Sequence, residues 1–147
     1  SLPGERLGYV LVPKQVTDAD AVYAATAGAG RSQGYVNAPS LFQRVAAECC
    51  DLTANIGVYE RNCALLTDGL REMGYHVVQP GGAFYLFPRS LEPDDMAFSE
   101  RAKKFDLLLV PGSGFGAPGH FRIAYCVQTE MIERALPRFK ALADSYQ

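Results

Sequence analysis

Val110-Pro111-Gly112-Ser113-Gly114-Phe115-Gly116-Ala117-Pro118-Gly119-His120-Phe121-Arg122-Ile123-Ala124-Tyr125-Cys126 is a glycine-rich turn that feeds a strand carrying one arginine. Side chains of a strand alternate between its two faces, so Phe121, Ile123 and Tyr125 share one side while Arg122, Ala124 and Cys126 share the other. Arg122 therefore points away from the aromatic face, with only small neighbours beside it. A guanidinium offers a planar fork of donors that matches a carboxylate or phosphate in a two-point contact, and small flanking side chains leave room for that anion. The competing reading is an arginine on a solvated strand face, because charged side chains are mostly exposed. The glycines do not make a nucleotide loop. They lack the Gly-Lys-Ser/Thr ending of a P-loop, and they precede a strand where a helix-terminus phosphate site needs a helix.

Working outward, residues 75–78, 83–87, 107–110 and 121–126 are four short apolar runs separated by Gly/Pro turns and one predicted helix over 94–104. They read as strands of a small sheet. Pro80-Gly81-Gly82 before Ala83-Phe84-Tyr85 reads as a permissive turn opening a buried strand. Upstream, Leu52, Ile56, Tyr59, Cys63, Leu66, Leu70 and Met73 recur at steps of four and three, the stripe of a long amphipathic helix stopped at Gly74. Downstream, Met131, Ile132, Ala135, Leu136, Phe139, Leu142 and Ala143 share one helical face behind Thr129, the expected N-cap, and Pro137 is expected to kink or restart that helix. Nearer the start, residues 7–12 read as a strand ended by Pro13. A helix capped by Thr17 or Asp18 follows to about residue 27, then a loop over 28–34 and a helix from Pro39 to about residue 50. The fold class is α+β: a small, mostly antiparallel sheet covered by helices.

At 147 residues the chain buries roughly 68–70 % of its unfolded surface, which suits one compact domain. Hydrophobic residues make up 48 % and charged ones 20 %, a globular composition that argues against disorder. A formal charge of −2 without a basic cluster speaks against a nucleic-acid partner. No apolar run approaches the ~20 residues that span a bilayer, and no signal peptide is visible. Cys49, Cys50, Cys63 and Cys126 have no metal-site spacing and read as reduced thiols, Cys126 as a small buried hydrophobe, which places the chain in a reducing compartment, the cytoplasm.

Ser1-Leu2-Pro3-Gly4-Glu5-Arg6-Leu7-Gly8-Tyr9-Val10, Pro80-Gly81-Gly82-Ala83-Phe84-Tyr85-Leu86-Phe87-Pro88 and the 111–122 segment resemble, in that order, three landmarks of the fold-type-I pyridoxal-phosphate aminotransferases. The similarity runs nearly end to end but covers only the C-terminal part of that fold. It implies that residues 1–14 are a lead-in strand from the large domain and 15–147 the small C-terminal domain. By the same resemblance Arg6 contacts the phosphate of pyridoxal 5'-phosphate, Arg122 grips the substrate α-carboxylate, and Tyr85 with Phe84 lies near the substrate side chain. The loop holding Asn37 resembles one that approaches the neighbouring subunit's active site, which would put Asn37 near the partner's cofactor phosphate. The simpler reading of Asn37 is a cap for the helix at Pro39.

The family's Schiff-base lysine lies upstream of the position matched by Arg6, and no lysine precedes Arg6 here. The resemblance therefore implies a fragment without its catalytic residue, binding no cofactor and inactive alone. Its parent would be a homodimeric transaminase acting on an amino acid and a 2-oxo acid. The alternatives are another reaction on the same fold, a β-lyase or synthase, or the ligand-sensing domain of a transcription regulator.

Overall fold

The computed structural model describes residues 3–147; the first two positions of the Ser1 to Val10 motif lie outside them. The chain divides into two units, Ser1–Ala54 and Asn55–Gln147. In the first, a 3-10 turn at Pro3–Glu5 is followed by helices α1 (Ala19–Ser32) and α2 (Ser40–Cys49). Helix α1 runs five residues beyond its expected end, through Gly28 and Gly30, because alanines surround them and alanine is the best helix former. Asp18 precedes it in a left-handed conformation and makes no side-chain cap bond. The expected strand over 7–12 is not formed. A strand exists only by pairing, and this segment makes no backbone ladder. No side chain of α1 or α2 is buried.

The second unit holds the core. Helix α3 (Ile56–Glu72) buries Cys63, Leu66 and Leu70 from the predicted stripe, but it starts one turn later than the spacing implies. Leu52 is exposed outside it, so the period continues there without a surface to bury against. Its end follows the Schellman pattern: Gly74 sits at φ 88°, its N–H donates to Arg71 O at 3.0 Å, and Tyr75 N–H donates to Leu70 O at 3.0 Å. Only a residue tolerant of positive φ closes the helix this way, and the turn delivers Tyr75 directly into the core.

Strands β1 (Tyr85–Leu86), β2 (Val110–Pro111) and β3 (Phe121–Ala124) form an antiparallel sheet in the order β1-β3-β2. Tyr85 pairs with Ala124, Leu86 with Ile123, Val110 with Arg122 and Pro111 with Phe121. These strands are shorter than the apolar runs that announce them: residues 107–109 stay outside β2, and Pro88, which lacks an N–H, lies between β1 and the isolated Arg89–His120 bridge. Residues 75–78 form no named strand. They keep its alternation, Tyr75 and Val77 buried against His76 and Val78 exposed, and one tie to the sheet, Arg89 N–H to His76 O at 3.0 Å.

Helix α4 (Asp95–Lys103) is capped by Asp94, whose Oδ1 accepts from Met96 and Ala97 N–H at 3.0 Å each. Helix α5 (Thr129–Asp144) passes through Pro137 as one uninterrupted helix. The ~3 kcal/mol cost of an interior proline is outweighed by burial on both sides of it, of Ile132 before and Phe139, Leu142 and Ala143 after, each large side chain contributing about 1.5–3 kcal/mol. Thr129 opens α5 without capping it. Its hydroxyl donates instead to Asn62 Oδ1 at 2.8 Å, while Asn62 Nδ2 donates to Tyr125 O at 3.1 Å and Val127 O at 2.7 Å. Between helices and sheet, Tyr75, Phe98, Phe121 and Phe139 pack ring against ring at centroid distances of 5.0–6.3 Å, with the Tyr75 hydroxyl satisfied by Phe139 O.

Candidate functional site

Directly opposed residues of an antiparallel pair share a face, so Arg122, Val110, Ala124 and Tyr85 lie on one side of the sheet while Phe121 and Tyr125 are buried on the other. The predicted alternation of β3 is thus observed. The expectation of only small neighbours around Arg122 is not. Its Cζ lies 4.5 Å from the centroid of the Tyr85 ring and 4.1 Å from that of Phe115. Alternation along one strand describes that strand alone; these rings come from β1, diagonally across the ladder, and from the turn before β3. Both distances are within cation–π range. Arg122 is half-buried, and among the described residues its guanidinium makes no ion pair and no hydrogen bond. Aromatic faces attract the cation without occupying its N–H groups, so the donor fork is held in place and left available to an oxyanion.

The turn is built to hold Phe115 there. Gly112–Phe115 forms a 3-10 turn closed by Gly116 at φ 72°. A Cβ on Gly112 would stand 2.2 Å from Ala117 O and 2.7 Å from His120 O, so only glycine fits. Asp95, 2 % exposed, reaches in from the first turn of α4. Its carboxylate accepts from Ser113 Oγ at 2.7 and 2.8 Å, from Ser113 N–H at 2.9 Å and from Gly119 N–H at 3.0 Å, which fastens both ends of the turn. The Ser113 hydroxyl, helped by the backbone N–H groups, holds the Asp95 carboxyl below the usual carboxylate range against the opposite pull of burial. Asp95 escapes sequence reading; its one signal is that the pair Asp94-Asp95 offers two acidic residues where a helix start needs one cap.

Arg122 and Tyr85, with Leu107, Val110, Ala124 and Met131, line a cleft of about 550 Å³. The cleft is mostly apolar; its charged lining residues are Arg122, unpaired, and Asp106, which pairs with Arg138. The second flanking motif is also structural: Tyr125 OH donates to Gly82 O at 2.8 Å, which anchors the Pro80-Gly81-Gly82 turn ahead of β1.

The remaining sequence candidates sit in the first unit. Arg6 is exposed at φ 39° after the first 3-10 turn. Asn37 is exposed in the connection between α1 and α2 and does not cap α2; Pro39 occupies the position before that helix, and Gln43 Nε2 secures the entry by donating to Ala38 O at 2.7 Å. Cys126, expected to be buried, is exposed because it follows the end of β3 on the Arg122 side; Cys63 alone of the four thiols is buried. No lysine lines the cleft: Lys14 and Lys104 are exposed, Lys103 pairs with Glu100 and Lys140 with Asp144. No helix among the described residues is long and apolar enough to cross a membrane.

The family model for aminotransferase class I and II matches residues 1–139. The aspartate/prephenate aminotransferase of Thermus thermophilus is 31 % identical over 143 residues, 95 % of this chain and 37 % of that protein. The aspartate aminotransferase of Geobacillus stearothermophilus is 31 % identical over 150 residues, 94 % of this chain and 37 % of its own length. Among solved structures, an amino transferase from Eubacterium rectale superposes with a TM-score of 0.93 at 51 % identity, over 99 % of this chain and 37 % of that one. The chain thus spans a little over a third of the length of the relatives it matches. A family match along nearly all of its residues, joined to the α+β fold it shares with a solved amino transferase, shows that this chain belongs to the class I and II aminotransferases.

Proposed function

We propose that this chain is the C-terminal, small-domain portion of a pyridoxal-phosphate-dependent aminotransferase, and that Arg122 binds the α-carboxylate of its amino acid and 2-oxo acid substrates. The observation that carries the reading is the unpaired Arg122 fork, held beside Tyr85 and Phe115 in the wall of an apolar cleft. A carboxylate approaching in the guanidinium plane gains a two-point, charge-assisted contact, and that contact fixes the substrate's orientation, an entropic contribution to rate. Tyr85 flanks the bound substrate as well as the arginine. Bound pyridoxal phosphate supplies the electron sink at the substrate α-carbon. The residues present fit the substrate end of that chemistry; none fits the reacting end, which needs a lysine, so the 147-residue chain alone is expected to turn nothing over.

On the same reading Arg6 contacts the cofactor phosphate, Asn37 approaches the partner subunit's cofactor in a homodimer, and the enzyme works in the cytoplasm. Four free thiols support a reducing compartment. The test is Arg122→Lys in the intact, lysine-containing protein. A point charge cannot reproduce the fork, so kcat/KM for the best amino acid should fall by about 1–3 kcal/mol of transition-state binding, roughly 5- to 150-fold. An unchanged kcat/KM across a panel of amino acids overturns the assignment of Arg122.

A further inference from the structure

The chain has only two histidines, and both stand in one groove. His76, Arg89 and His120 come from three neighbouring extended segments: Arg89 N–H donates to His76 O at 3.0 Å, and Arg89 bridges His120 as an antiparallel partner. Residues opposed in this way point to the same side, and all three line a groove of about 650 Å³ in the second unit. Its floor is kept low by Gly119, which sits at φ 73° and carries no side chain.

Arg89 is the cation of this groove. The Arg89 guanidinium and the His76 ring make no ion pair or hydrogen bond among the described residues. His120 Nδ1 lies 3.0 Å from Pro118 O; a carbonyl only accepts, so Nδ1 carries the proton and Nε2 is left for the groove. The one acidic residue lining the groove, Glu92, is already engaged by the Tyr146 hydroxyl and by Arg101 at 3.6 Å. Asp95, which approaches the 119–120 backbone from the other side, is spent on Ser113 and Gly119. A concave surface whose uncommitted side chains are one guanidinium and two imidazoles, with its one carboxylate engaged by other groups, suits a small anion. An arginine fork that donates and an imidazole nitrogen that accepts suit a hydrogen phosphate, which offers both oxyanion and O–H, better than a planar carboxylate, which offers two oxygens.

We propose that the His76–Arg89–His120 groove is a binding site for a small tetrahedral oxyanion of the phosphate class, either inorganic phosphate or the headgroup of a phosphate monoester. The site belongs to neither the Arg122 cleft nor the reading of that cleft.

Two histidines give only four imidazole C–H signals, two from each ring, so proton NMR of the 147-residue chain reads the site directly. Inorganic phosphate is expected to shift the signals of both rings saturably at constant ionic strength, with chloride as the control. Arg89→Gln, on an exposed side chain, is expected to weaken that response at least tenfold while the methyl spectrum stays dispersed, and Arg122→Met to leave it unchanged. Phenyl phosphate separates the sources: tighter binding than phosphate identifies a monoester ligand, and equal or weaker binding identifies the free ion. Shifts that do not saturate, that chloride reproduces, or that survive Arg89→Gln overturn the proposal.

Discussion

Gly112 and Asp95 show how much a single position carries in this protein. With two carbonyl oxygens closer to the would-be Cβ of residue 112 than any carbon tolerates, Gly112→Ala must push the turn apart. We expect a loss of about 1–3 kcal/mol by overpacking, measured as a lower denaturation midpoint, together with displacement of Phe115 from Arg122. For Asp95 the prediction is one of pH. Its folded-state pKa lies below that of an ordinary carboxyl, so the unfolded chain takes up the proton first. The stabilisation is therefore complete above the ordinary carboxylate range, about pH 4, and is lost as pH falls through that range towards the folded pKa. Asp95→Asn should lower stability at pH 7 and flatten the acid limb of the stability curve; an acid limb identical to that of the parent chain would show that another carboxylate sets it. Arg122 itself is legible in sequence, because a period of two decides its face from its immediate neighbours. Its aromatic surroundings are not, because Tyr85 and Phe115 reach it through strand pairing and a turn.

At the scale of elements, the join between α3 and the start of α5 depends on one buried amide. Asn62 is fully buried and satisfies two carbonyls, Tyr125 O and Val127 O, while accepting from Thr129. Asn62→Ala removes the donors and leaves both carbonyls in a dry interior. The expected cost is about 3 kcal/mol, visible in chemical denaturation as a shifted midpoint at an unchanged slope. The helices are legible where a stripe and a stop agree, as in α3 and its end at Gly74. They were misread where one signal stood alone: Pro137 did not interrupt α5, and Thr129 spent its hydroxyl on Asn62, because burial and a long-range bond each outweighed a local preference.

Across the whole molecule, buried side chains belong to the second unit, while α1 and α2 bury none. Amide protection follows burial and contact density. Hydrogen exchange is expected to be fast in residues 19–32 and 40–49 and slowest in α3 and α5, and brief proteolysis should leave a resistant core beginning near residue 55. Equal protection in α1 and α5 would contradict this. The shortened strands belong to the same scale. Apolar runs marked extended segments, but pairing set how much of each became strand, with residues 107–109 left outside β2, and residues 7–12 show that an apolar run without a partner makes no strand.

The sequence alone determined what local order encodes: an α+β chain, the 3.6-residue stripe of α3, the positive-φ stop at Gly74, the face of β3 that bears Arg122, and the motifs that tie the chain to its family. Tertiary structure decided everything that joins distant positions, among them the rings around Arg122, the 18-residue reach from Asp95 to Ser113, and the meeting of His76, Arg89 and His120 in one groove. The reason is physical. Periodicity records which side of an element faces the core, whereas the partner on that side is set by packing and hydrogen bonding between segments that no local pattern connects.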